Sequence, residues 1–282
     1  MKTLKPDTKL SKIIESKKVY LAETKRQRPY DQLEKELESI PPFKGLSLFE
    51  ALKSKEPKPK LIAEVKKASP SRGVIRENFL LEEINDAYQA APNVVAISVL
   101  TEKDHFHGSE ATLAFFAKHN THHKPLLRKD FIFDKYQILE TKLLGAQAYL
   151  LIASLFDDAE ELEALVELGY KIGLEPLVEV HDQGELDLVK STKARIVGVN
   201  CRDLKTFSID IKIHELLREL DDSYARIAES GIDSEGYLKY ISTFCDAALV
   251  GSHFMSQQDI EHAIRVMVNP PSLSEVKLEN KL

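Results

Sequence analysis

The sequence predicts an α/β protein, a closed (β/α)8 TIM barrel with an N-terminal helical extension, and three observations lead there. Short apolar, β-branched runs recur eight times after about residue 58, each followed by a stretch of helical periodicity. The glycines are single and scattered, so the Gly-rich dinucleotide fingerprint that an open doubly wound sheet would want is missing. Charged and polar residues collect at one end of the runs, where a barrel keeps its working groups.

Residues 1–57 read as the extension: Lys- and Glu-rich, with helical spacing at Leu10, Ile13, Ile14, Tyr20 and Leu21 and again over Leu33–Ile40. Pro41-Pro42 interrupts, and a short helix is expected around Leu48–Lys53. The barrel occupies 58–269. Its expected strands are Leu61–Val65, Val94–Leu100, Pro125–Leu127, Ala148–Ile152, Leu174–Val180, Arg195–Val199, Ala225–Ala228 and Ala247–Val250. Helices are expected over Asp134–Leu144, Asp157–Leu168, Asp182–Val189, Ile211–Leu220, Ser234–Tyr240 and Gln258–Val268; the second opens on Asp-Asp, which suits a helix N-terminus. Residues 270–282 read as a polar tail.

Composition narrows the function classes. With 43% apolar residues the 282-residue chain can bury a large core. A net charge of -6 provides no global basic field, which argues against nucleic acid as partner. No apolar run reaches membrane-span length and the N-terminus has no apolar signal region, so a cytoplasmic protein is expected. Cys201 and Cys245 belong to no Cys-x-x-Cys pair, which excludes a disulfide framework or zinc knot. His105 and His107 have no suitable third ligand, so no metal site is expected; both read as loop residues, as do His122 and His123.

Chemistry is expected at the strand ends. Glu64 and Lys66 lie at i and i+2, so they project from one face of the first strand just before a Ser/Pro/Gly loop. Buried charge is costly unless paired or used. Later strand ends bring Lys129, Glu179, Asn200 with Arg202, then Glu229 and Ser230. Alternation turns Cys201 away from the interior, so it reads as a packed thiol. Gly231, Gly251 and Ser252 follow the seventh and eighth strands, where barrels often bind phosphate through backbone N–H groups. An acid–base enzyme, a Schiff-base aldolase with Lys129 as nucleophile, a phosphosugar isomerase and a silent binding scaffold all fit this pattern.

Six segments carry a resemblance: Ile62–Ser71, Leu126–Phe131, Leu174–Glu179, Gly198–Asn200, Ala228–Ile232 and Val250–Ser252. In this order they resemble indole-3-glycerol phosphate synthase, over about residues 5 to 268. The resemblance implies a lyase of tryptophan biosynthesis that closes the indole ring of 1-(2-carboxyphenylamino)-1-deoxyribulose 5-phosphate, releasing CO2 and water, with no metal or organic cofactor. It puts the general acid on Lys129 and assigns dehydration to Glu179. Lys66 would engage substrate anions while Glu64 and Asn200 orient the substrate. Ser69, Arg202, Glu229 and Ser230 would line the mouth, Phe106 and Phe131 would wall the anthranilate ring, and Gly231, Gly251 and Ser252 would hold the phosphate. The length implies the form without a fused isomerase barrel, and a monomer is expected. Cations clustered near Lys129 should depress its pKa, and Ser69–Gly73 is expected to act as a flap.

Overall fold

The computed structural model describes residues 2, 8–203, 206 and 208–269; the expected tail, 270–282, lies outside them. Eight parallel strands close into a barrel in sequential order. They are β1 (Leu61–Val65), β2 (Val94–Leu100), β3 (Leu126–Lys129), β4 (Ala148–Ile152), β5 (Glu175–Val180), β6 (Ile196–Asn200), β7 (Ala225–Glu229) and β8 (Ala247–Val250). Closure is made by β1, which pairs with β8 at Leu61–Ala248 and with β2 at Leu61–Val94. The strands are buried on both faces, which is why they read as unbroken apolar runs.

Before the barrel come α1 (Lys9–Gln27), α2 (Tyr30–Leu37) and α3 (Leu48–Lys53). Leu10, Ile13 and Ile14 of α1 enter the main core, while Tyr20 is 44% exposed, so the expected apolar stripe is narrower than its spacing suggested. Leu21 and Leu33 pack on Tyr136 and Leu139 in a second cluster. Each such burial is worth roughly 1.5–3 kcal/mol. Helix α3 spans the N-terminal end of the barrel: Phe49 N–H donates to Glu175 Oε2 at 2.7 Å, and Lys53 Nζ to Asp246 Oδ1 at 3.1 Å.

The outer layer consists of α4 (Leu81–Ala90), α5 (Glu110–Lys118), α6 (Lys135–Leu143), α7 (Ala159–Lys171), α8 (Gln183–Lys190), α9 (Glu235–Ile241), α10 (Ser252–Met255) and α11 (Ile260–Val268). Asp134, Asp158, Asp182, Ser234 and Asp259 cap α6, α7, α8, α9 and α11, satisfying N–H groups that have no partner within the helix. Ile211–Glu219, expected as an α-helix, is a 3-10 helix. The third and sixth strands sit further along the chain than expected. Arg128 and Lys129 belong to β3 itself because each finds carboxylate partners. The Ser69–Gly73 loop is a small hairpin, Ala68–Ser69 paired antiparallel with Gly73–Val74.

Candidate active site

The C-terminal ends of the strands surround a cavity of about 390 Å³. Glu64, Lys66, Ser69, Phe106, Lys129, Phe131, Glu179, Asn200, Arg202, Glu229, Ser230, Gly231, Gly251 and Ser252 all line it. The structure thus brings every site residue expected from the sequence into one place. Its polar floor is set by Lys129, whose Nζ donates to Glu179 Oε2 at 2.7 Å and to Glu229 Oε2 at 3.1 Å. Both carboxylates are almost wholly buried. Lys66 Nζ pairs with Glu64 Oε2, so the pair that shares a face of β1 also shares a proton-bearing contact. Tyr88 O–H donates to the Glu64 carbonyl at 3.0 Å and pins the end of that strand.

Two glycines make room for these carboxylates. A Cβ on Gly198 would come 2.0 Å from Glu229 Oε1, and one on Gly251 would come 2.2 Å from Glu64 Oε2. Neither contact is tolerable, so the close approach requires glycine. At the end of β7 both Ser230 and Gly231 take φ of +67°, turning the chain around the cavity rim. The left-handed conformation at Ser230, a non-glycine, is strained backbone at a site boundary.

Two rings also line the cavity, Phe106 and Phe131, with centroids 6.2 Å apart and planes tilted by 42°. Phe106 is placed by Glu102, a buried residue whose carboxylate accepts the backbone N–H groups of Asp104, His105 and Phe106 at 3.1, 2.8 and 2.9 Å. His105 Nδ1 lies 3.3 Å from the same carboxylate, which accounts for that histidine without a metal. Among the described residues no group of three or more His, Cys, Asp or Glu could hold a metal ion. Cys201 is a buried thiol, pushed up to about 11 by burial, and does not line the cavity.

The electrostatics overturn one expectation. Burial alone would lower the Lys129 ammonium, but Glu179, Glu229 and Glu64 outweigh it and the pKa is raised. The neighbours of Lys129 in space are carboxylates; Arg128, its neighbour in sequence, points to the other side of the strand. The two carboxylates on Lys129 diverge. Burial would raise Glu179, yet Lys129 and His181 hold it well below the usual carboxylate range. Glu229 is pushed up to about 8 by burial, partly opposed by Lys129, with the charge of Glu179 adding to the rise. The floor therefore combines a charged ammonium, an ionised carboxylate and a neutral carboxyl at neutral pH.

Sequence reasoning missed His181, whose Nε2 lies 3.2 Å from Glu179 Oε1. It also missed Lys17 of α1, whose Nζ reaches Asp130 Oδ1 at 2.7 Å directly behind Lys129. His181 was findable, because it lies two residues beyond Glu179 and so shares its face. Lys17 carries no local signal.

The family model for indole-3-glycerol phosphate synthase matches residues 10–267. The chain belongs to the indole-3-glycerol phosphate synthase family. The enzyme of that name from Campylobacter jejuni subsp. doylei is 42% identical over 262 residues, 92% of this chain and 99% of the relative. That from Thermoanaerobacter pseudethanolicus is 39% identical over 250 residues, 87% of this chain and 92% of the relative. Among solved structures, 3-hexulose-6-phosphate synthase from Salmonella typhimurium superposes with a TM-score of 0.58 at 15% identity, covering 75% of this chain and 97% of that one. Thiamine phosphate pyrophosphorylase from Pyrococcus furiosus gives 0.55 at 13% identity over 74% and 95%. Both structural likenesses are of fold.

As a member of this family, the protein is a carboxy-lyase of tryptophan biosynthesis acting on a small phosphorylated substrate. It closes the ring of 1-(2-carboxyphenylamino)-1-deoxyribulose 5-phosphate with loss of CO2 and water.

Proposed function

We propose that Lys129 is the general acid and Glu179 the base of this reaction. The observation that carries the assignment is the floor of the cavity, where one ammonium is clamped between two buried carboxyl groups in a cavity that Phe106 and Phe131 also line. Ring closure forms a bond from the carboxylate-bearing aromatic carbon to the ketone carbon, and the ketone oxygen gains a proton. A lysine kept charged by its surroundings supplies that proton. The C–CO2 bond then breaks and its electron pair restores the aromatic ring. In the dehydration the hydroxyl takes a proton from the Lys66 ammonium and leaves as water, and the indole forms when a base takes up the proton released from the substrate. Glu179, held ionised, accepts it.

Lys66, Glu64 and Asn200 grip and orient the substrate beside these two. Ser69, Arg202, Glu229 and Ser230 complete the polar rim, and Phe106 and Phe131 flank the anthranilate ring. The backbone at Gly231, Gly251 and Ser252 receives the phosphate at the rim opposite. A Schiff-base role for Lys129 fits less well, because a nucleophilic amine must already be neutral when it attacks, whereas the acidic groups around Lys129 keep it charged, the form a general acid starts from. Further parts of the proposal are a monomeric enzyme, no nucleic-acid or membrane partner and a site in the cytoplasm. The net charge of -6 supports this reading, as does the finding that no helix among the described residues is long and apolar enough to cross a membrane.

The test is an indole-fluorescence assay with the anilino-ribulose phosphate on wild type, Lys129→Ala and Glu179→Gln, each treated in parallel with borohydride. Loss of turnover with substrate binding kept supports the assignment. Full turnover in either variant, or a borohydride-trapped lysine adduct, overturns it.

A further inference from the structure

Glu179 and Glu229 contact the same ammonium through one oxygen each and are both buried, so Lys129 alone does not decide which acts as base. What distinguishes them is His181. Its Nε2 lies 3.2 Å from Glu179 Oε1, within ion-pair distance. Its Nδ1 lies 3.0 Å from Glu185 Oε2, and the same oxygen accepts the His181 backbone N–H at 2.8 Å. Glu185 is itself fixed in the first turn of α8, where its N–H donates to the Asp182 cap at 2.9 Å. The ring is thereby clamped from the solvent side and presented to Glu179.

Glu229 has no such neighbour. Its Oε1 is buried beside Gly198 with no hydrogen-bond partner among the described residues. Burial would lower the His181 imidazole, and Glu179 and Glu185 raise it to about 10, so the ring stays cationic through neutral pH. These two carboxylates, from β5 and α8, are the charged groups facing it. The 3-10 turn Ala153–Leu155, packed against both elements, carries no titratable side chain.

We infer that His181 is a positioning residue for the reaction: clamped between Glu185 and Glu179, it selects Glu179 over Glu229 as the carboxylate that takes up the substrate proton during dehydration. The inference rests on the reading of Glu179 as the base. A cation beside one of two competing carboxylates separates their proton affinities, and that separation is what divides acid from base. An apolar residue would fill the same space without a buried charge, so packing alone does not explain a charged ring there.

The experiment measures kcat and KM against pH, by indole fluorescence, for His181→Asn, Glu185→Gln and Glu179→Gln in the full chain. In His181→Asn the expected result is a fall in kcat of about ten- to a hundredfold, the strength of a charge-assisted contact. KM should change by less than about threefold. The acid limb of the kcat profile should move to higher pH, because Glu179 loses its second cation. Glu185→Gln should move the same limb in the same direction by less, and it serves if His181→Asn does not fold. An unchanged acid limb overturns the inference, whether kcat is unchanged or uniformly lowered. Full turnover in Glu179→Gln would remove the base itself. A dead Glu179→Gln beside a His181→Asn of unaltered profile removes only the role given to His181.

Discussion

Arg128 and Lys129 are adjacent on β3, both buried, both cationic and both surrounded by carboxylates, yet they build two different kinds of cluster. Strand alternation sends Lys129 into the mouth of the barrel and Arg128 outward beneath the helices. On the outer side every guanidinium donor is used: Nε to Thr101 at 3.1 Å, Nη1 to Glu140 at 2.8 Å and the Gln137 carbonyl at 3.3 Å, and Nη2 to Glu110 at 2.9 Å and Asp130 at 3.4 Å. Asp130 in turn accepts from Thr101 at 2.6 Å and pairs with Lys17 at 2.7 Å. On the inner side Glu229 keeps a buried oxygen without a partner among the described residues, and the whole group faces a cavity. A closed network of buried charge fixes structure, whereas an open one facing a cavity is available for chemistry.

Exchanging each cation for a methionine of similar reach separates the two roles. Lys129→Met should lower turnover by about 10³- to 10⁴-fold, near the upper range for general acid catalysis. Its thermal midpoint should hold, because Glu179 and Glu229 can share a proton once the ammonium is gone. Arg128→Met should do the reverse. It strands buried carboxylates that have lost their shared cation, costing about 3–5 kcal/mol in urea unfolding, while kcat per folded molecule falls far less. Equal stability losses in the two variants would dissolve the distinction.

Much of the inner cluster was legible in the sequence because its members repeat one rule: a charge at the C-terminal end of an apolar run, or two residues beyond it. Glu64, Lys66, Lys129, Glu179 and Glu229 all follow it. At β5 the same rule extends from Glu179 to His181, the third cation of the cluster, which the expected site left out. The direction of the Lys129 shift was not legible. Its neighbours in the chain include Arg128, while the carboxylates that decide the matter lie 50 and 100 residues away. The end of β3 was misplaced for a related reason, since Arg-Lys looks like a strand stop until its partners are known. The outer cluster had no signal at all: Lys17, Glu110 and Glu140 sit on three different helices among many exposed charges.

Gly198 probes how tightly the inner cluster is built. Gly198→Ala places a methyl where Glu229 Oε1 now lies and forces that carboxyl to move. The overpacking cost is about 1–3 kcal/mol. Activity should fall with it, because Glu229 can no longer share the Lys129 ammonium with Glu179. A variant with lower stability but full kcat would show that the placement of Glu229 is structural.

The smallest expected effect concerns how α1 couples to the outer cluster. Burial would raise the Asp130 carboxyl, but Lys17 and Arg128 outweigh it and its pKa is lowered. A carboxyl whose folded value lies below its unfolded value of about 4 contributes its full stabilisation above that pH. The contribution is lost as pH falls through the folded value. Lys17→Met removes one of the two cations, so the depression shrinks and the acid-unfolding midpoint should rise. At pH 7 the cost should be about 1–2 kcal/mol, because Arg128 and Thr101 still hold the carboxylate. At acid pH the cost should be smaller, because protonation of Asp130 removes the charge that Lys17 stabilises. Urea unfolding at the two pH values makes the comparison. An equal cost at both would mean that Lys17 holds α1 through its buried stem and not through its charge.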